Sequence, residues 1–111
     1  MINDKSVGDV LVVKPMQQRL DAQEAGNFKA YMGKRIHDGS AQIVLDLSRV
    51  EFIDSSGLGA IVSSLKMLGG KGSLSLCGIS ETIMTMFKLT RMDRVFPIFA
   101  TDAEALAALC K

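Results

Sequence analysis

Asp46-Leu47-Ser48-Arg49-Val50-Glu51-Phe52-Ile53-Asp54-Ser55-Ser56-Gly57-Leu58-Gly59-Ala60 joins two kinds of hydrophobic pattern, and the change between them decides the fold class. Leading into it, Ile43-Val44-Leu45-Asp46-Leu47 is apolar at every position but Asp46. A run that does not alternate predicts a strand covered on both faces, as in a parallel sheet between helices. Val50, Phe52 and Ile53 carry the apolar material on to Asp54-Ser55-Ser56-Gly57. Beyond the serines, Leu58, Ile61, Val62, Leu65 and Leu68 fall on one face of a helix, which Gly69-Gly70-Lys71-Gly72 ends.

The same alternation extends in both directions. Upstream, the β-branched run Val10 to Val13, closed by Pro15, predicts a strand that pairs with Ile2 to Val7 through a turn at Gly8-Asp9. Asp21 is the expected N-cap of a helix carrying Ala25, Phe28, Met32 and Ile36 on one face, with Gly39 as its stop. Downstream, Leu74 to Ile79 reads as a buried strand, and Ser80 caps a third helix running to about Met92. Val95 to Phe99 is expected to be a short edge strand, because Pro97 interrupts it. Thr101-Asp102-Ala103-Glu104 is a capping box that opens a last helix with Ala103, Leu106, Ala107 and Cys110 facing inward. Strands alternating with helices predict one α/β domain over residues 1–111, with a mixed, mostly parallel sheet of four to five strands and about four helices.

Composition excludes several functions. Thirteen basic residues against twelve acidic ones leave a formal net charge of +1, without the basic footprint of a nucleic-acid binder. No stretch approaches the ~20 apolar residues that span a bilayer, and Met1 to Lys5 lacks the layout of a secretory signal, so a cytoplasmic protein without direct membrane insertion is expected. Cys77 and Cys110 lie far apart with no CxxC or His cluster beside them, which favours free thiols over a disulfide or a metal site. Neither cysteine suggests a function, and no residues call for a cofactor.

At the quoted stretch the chain resembles the STAS family, in particular the bacterial anti-sigma-factor antagonists. The resemblance lies in the pattern LDLS…V.FIDSSGLG and extends over most of the chain, with Gln18-Arg19-Leu20-Asp21 similar to an early Gly-Glu-Leu-Asp element of the family. The resemblance implies that Ser55, directly after the aspartate, accepts a phosphoryl group, with Ser56 as a secondary candidate. It implies a serine kinase that is also the anti-sigma factor, and a metal-dependent serine phosphatase that resets the switch. The unphosphorylated protein would bind the kinase and free its target, and it would be a monomer when not in that complex. Asp21 is a second contact candidate, and Arg19 reverses the charge of the family's glutamate. The alternative within the fold is a non-switching subunit of a lipid-transport ATPase complex, which resembles this chain in architecture but is associated with Thr-Ala where Ser55-Ser56 stand.

The residues themselves allow two readings of this segment. Asp54, Ser55 and Ser56 are all good N-cap residues, so the plain reading is a helix start. If Asp54 takes the cap, the Ser55 hydroxyl is left in the first turn, free to face a kinase, and Gly57 would let a partner's backbone come close. Leu58 adjoins the same surface. In the third helix, Ile83, Met84, Met86, Phe87 and Leu89 leave little polar face; most are expected in the core, with Met86 a candidate for an adaptable partner contact. Catalysis is not expected. Neither serine completes the Gly-x-Ser-x-Gly elbow of a hydrolase, and His37, the single histidine, has no triad partner and reads as a solvated surface residue. Gly69 to Gly72 follow a helix rather than a strand, which suits a C-cap and not a phosphate-binding loop.

Overall fold

The computed structural model describes residues 1–109. Val10–Pro15 (β2), Gln42–Asp46 (β4) and Ser73–Cys77 (β6) form the parallel centre of a five-stranded sheet. Ile2–Val7 (β1) pairs antiparallel with β2 at one edge, after a turn in which Gly8 adopts φ +59°. Ile98–Phe99 (β7) adds a short parallel strand at the other edge. Arg19–Leu20 (β3) and Phe52–Ile53 (β5) form a separate two-residue parallel pair. The helices are Ala22–His37 (α1), Ser55–Leu68 (α2), Glu81–Leu89 (α3) and Asp102–Leu109 (α4), with a 3-10 turn at Met92–Arg94.

Because side chains alternate along a strand, the sheet presents two different apolar faces. Leu11, Val13, Ile43, Leu45, Leu74 and Leu76 pack one way, against Phe28 and Met32 of α1, Ile61 and Leu68 of α2, and Ile83 and Phe87 of α3. Val10, Val12, Val44 and Cys77 point the other way and are covered by Ala105 of α4, with Leu106 and Leu109 beside it. The central strands are thus buried on both sides, which is why their sequences do not alternate.

The structure corrects the bounds of two elements and the inward face of a third. The third helix stops at Leu89 rather than near Met92, because Arg91 enters the left-handed region (φ 60°, ψ 20°) and the chain continues as a 3-10 turn. The last strand is confined to Ile98–Phe99. In α4, Ala103 and Ala107 are exposed, and the inward face runs through Ala105, Leu106 and Leu109; Cys110 lies outside the described residues. The capping box does form. Thr101 Oγ1 accepts from the Glu104 N–H at 3.1 Å, while the Glu104 carboxylate reaches back to the Ala100 N–H, also at 3.1 Å.

Cys77 closes the second face and is fully buried. Burial, reinforced by the carboxylates of Asp46 and Asp102 and only partly offset by Lys14, pushes its pKa up to about 12. An unfolded thiol ionises near about 8.5, so between that pH and 12 the folded chain holds a proton that the unfolded chain has lost. Stability from this group is complete below about pH 8.5 and declines as pH rises toward 12. At pH 8, peptide-level mass spectrometry should find iodoacetamide modifying Cys77 at least about a hundredfold more slowly in folded than in urea-unfolded protein. Equal rates would contradict this burial.

Candidate functional site

The β3–β5 pair places two similar strand-to-helix junctions side by side. Leu20 lies opposite Ile53, so the residues that follow, Asp21-Ala22 and Asp54-Ser55, leave the pair together and open α1 and α2. Each aspartate is an N-cap in extended backbone, short enough to fold its carboxylate onto the N–H groups of the next turn. Asp21 Oδ1 accepts from the N–H groups of Gln23 and Glu24 at 3.1 and 3.3 Å. Asp54 serves both helices. Its Oδ1 accepts from the Gly57 N–H at 2.9 Å, and its Oδ2 accepts from the Ala22 N–H at 3.0 Å, across to the start of α1.

This shared carboxylate makes a specific demand on residue 54. An asparagine has one acceptor oxygen, so its NH2 group must face one of the two N–H groups. Asp54→Asn should cost about 1–2 kcal/mol, and Asp54→Ala, which removes both caps, about 2–3 kcal/mol. The alanine variant should melt about 10–15 °C lower in a thermal scan followed by circular dichroism. A change under a few degrees would mean that neither bond of the Asp54 carboxylate contributes to stability.

Arg19 decorates the outer side of the same junction. Its Nε donates to Asp21 Oδ2 at 3.3 Å, and its guanidinium lies over the Phe52 ring, 4.2 Å from the centroid. Burial alone would raise the Asp21 pKa, but the Arg19 guanidinium and the N–H groups of Glu24 and Gln23 outweigh it and hold the carboxyl below its ordinary value. The stability this group supplies is therefore complete above about pH 4 and is lost as acid titrates the folded carboxylate.

Ser55 is exposed at the first position of α2, and Ser56 is exposed beside it. Since Asp54 occupies the cap and the Leu58 N–H closes on the Asp54 carbonyl, the helix-start N–H groups left near these hydroxyls are those of Ser55 and Ser56 themselves. The structure brings Asp21, Asp54, Ser55 and Ser56 together at one end of the molecule. Leu58 lies half-buried against the core just behind them. Gly57 requires a correction: it is buried, and the backbone that approaches it belongs to its own chain. A Cβ added there would sit 2.0 Å from the Leu20 carbonyl oxygen, so the glycine lets α2 seat against β3. Met86 lines an apolar groove with Phe52, Ile53 and Ile83, beside Glu51 and Thr82. Asp46, nearly buried, accepts from the Ser48 N–H at 3.0 Å. Among the described residues, no group of three or more His, Cys, Asp or Glu side chains is placed to hold a metal ion.

Sequence reasoning missed the β3–β5 pair, the Arg19–Phe52 stack and the bond from Ala22 to Asp54. A signal for the first was present: Leu20-Asp21-Ala22 and Ile53-Asp54-Ser55 repeat one apolar–Asp–small pattern.

The chain as a whole has counterparts among known proteins. The sequence profile of the STAS domain matches residues 1–105, and the chain belongs to the STAS domain family. A Thermotoga maritima protein named as a candidate anti-sigma factor antagonist is 35% identical over 104 residues, covering 92% of this chain and 91% of that one. A crystal structure of a candidate anti-sigma factor antagonist from the same species superposes with a TM-score of 0.91 at 32% identity, covering 99% of this chain and 95% of that one. An anti-sigma factor antagonist from Mycobacterium paratuberculosis gives a TM-score of 0.90 at 25% identity, covering 100% of this chain and 94% of that one. Other relatives that bear the name anti-sigma factor antagonist include proteins of Paenibacillus polymyxa and Listeria monocytogenes. No helix among the described residues is long and apolar enough to cross a membrane.

Proposed function

We propose that this chain is an anti-sigma-factor antagonist whose switch is Ser55. Unmodified, it binds an anti-sigma factor that is also a serine kinase and thereby releases the kinase's target. Within the complex the Ser55 hydroxyl attacks the γ-phosphorus of ATP, gives up its proton, and ADP leaves. The phosphorylated chain then lets the kinase go, and a metal-dependent serine phosphatase restores the hydroxyl. The chain acts in the cytoplasm and is a monomer between complexes.

The observation that carries this reading is the division of labour at the start of α2. Asp54 holds the cap through the Gly57 N–H, so Ser55 is exposed and its hydroxyl is not needed as the cap. Asp21, Ser56 and Leu58 surround it and are the proposed contacts of the kinase, with Asp54 behind them as the residue that positions the turn. Met86 extends the contact onto α3.

The test is intact mass with site localisation after incubation with ATP and extract of the native cells. One added phosphoryl group on Ser55, absent from Ser55→Ala, is the expected result. That variant should remain folded, because the cap belongs to the neighbouring aspartate. An unmodified chain, in extract whose serine kinases are demonstrably active, would overturn the switch and favour a non-switching subunit of a transport complex.

A further inference from the structure

We infer that the cavity between β1, β2, β4 and the start of α4 binds a short α-amino acid, its ammonium group on Asp46 and its carboxylate on Lys14. This goes beyond the Ser55 switch and does not depend on it.

The cavity opens on the face of the sheet that α4 covers and measures about 150 Å³. It lies at the carboxyl ends of β2 and β4, the end of an open α/β sheet where ligands bind. Asn3, Lys5, Val12, Lys14, Asp46 and Asp102 line it, together with Asp4. Most of these charges are already matched. Lys5 Nζ and Asp102 Oδ2 pair at 3.6 Å, and Asp4 accepts from the Tyr31 hydroxyl and from Arg35 Nη1. One cation, Lys14, and one carboxylate, Asp46, are left. They are next in the register that sets Val13 opposite Leu45, yet among the described residues neither forms an ion pair.

Asp46 carries the argument. It is only 8% exposed, and a carboxylate so far withdrawn from water is costly without a charged or donating partner. Its Oδ1 accepts from the Ser48 N–H and is the atom that a Cβ on Gly78 would meet at 3.0 Å. No described residue donates to Oδ2, so the carboxylate keeps acceptor capacity at the cavity wall. Asp46, Asp102 and Lys14 all act on the Cys77 thiol, which brings their charged groups over one point of the sheet. An incoming cation alone would be repelled by Lys14, and an anion alone by Asp46. An α-amino acid carries both charges on one carbon and offers each side chain its complement. The volume, below the about 300–1,000 Å³ of drug-sized sites, limits the ligand to a short side chain.

The probes are glycine, L-alanine, L-serine and L-threonine, titrated separately into the nitrogen-15-labelled chain, with ethylamine and propionate as half-ligands. At least one amino acid should give saturable shifts at the amides of Val12, Lys14 and Asp46, with each half-ligand at least about tenfold weaker. Asp46→Asn keeps an acceptor for the Ser48 N–H, and Lys14→Gln shortens a half-buried side chain. Both variants should stay folded in a thermal scan and bind at least about tenfold more weakly. Lys14→Gln carries the test alone if Asp46→Asn does not fold. Ser55→Ala should bind as the wild type does. The site is overturned if no amino acid gives saturable shifts up to about 10 mM. It is equally overturned if Lys14→Gln binds as tightly as the wild type, or if ethylamine matches the amino acids and the cavity proves a bare ammonium site. Every one of these outcomes leaves the Ser55 switch standing.

Discussion

Phosphorylation of Ser55 is expected to weaken the kinase complex about a hundredfold while moving the melting temperature by less than about 3 °C. The two parts have different physical origins. The phosphate adds ~1.5–2 negative charges at the start of α2, where the Ser55 and Ser56 N–H groups and the helix dipole favour an anion. The Asp54 carboxylate next in the chain opposes that charge, so the net change within the fold is small. At the interface nothing offsets it. A dianion facing a partner must be desolvated or repelled, and a penalty of only ~3 kcal/mol accounts for the hundredfold. Calorimetry of both forms against the kinase, with parallel thermal scans, measures the two quantities on one preparation. A phosphorylated form that unfolds 10 °C lower would show that the switch works by disrupting the domain and not by screening its surface.

Gly57→Ala should be the most damaging single-methyl change in the site. The new Cβ would meet the Leu20 carbonyl oxygen at 2.0 Å and its carbon at 2.9 Å, both backbone atoms held in the β3–β5 pair. Neither can rotate away, so α2 must lift from β3, weakening the Asp54 bonds to Gly57 and to Ala22 together. A loss of about 3 kcal/mol or more is expected, equivalent to a drop of at least ~12 °C in melting temperature. Gly59→Ala, two residues along the same helix, is the matched control. Its Cβ meets nothing within 4 Å, so alanine's better helix propensity should raise stability by about 0.5–1 kcal/mol. Similar melting temperatures for the two variants would refute the close approach of α2 to β3.

The contrast between those glycines marks the limit of what the sequence discloses. Asp21, Asp54 and Ser80 could be read as caps because each precedes a periodic apolar pattern, and all three accept the bonds expected of them. The run from Ile43 to Leu47, apolar at every position but Asp46, revealed a strand with both faces covered. The β3 and β5 strands escaped because two residues carry no periodicity. The phase of α4 was misjudged because Ala103, Ala105, Leu106 and Ala107 are all apolar, and only contact with Val12, Val44 and Cys77 selects a face. The end of α3 carried no glycine or proline to announce it. At the candidate site, the residue types were legible from local chemistry. The bond from Ala22 to Asp54 spans thirty-two positions and depends on tertiary placement alone.

That bond also provides a spectroscopic window. The Ala22 amide proton points at a carboxylate whose own chain neighbour is Ser55, yet it belongs to a different helix. In a nitrogen-15 correlation spectrum its resonance is a label already built into the polypeptide, placed beside the acceptor serine without altering it. Modification, acid titration or partner engagement at the start of α2 can each be followed at this one signal.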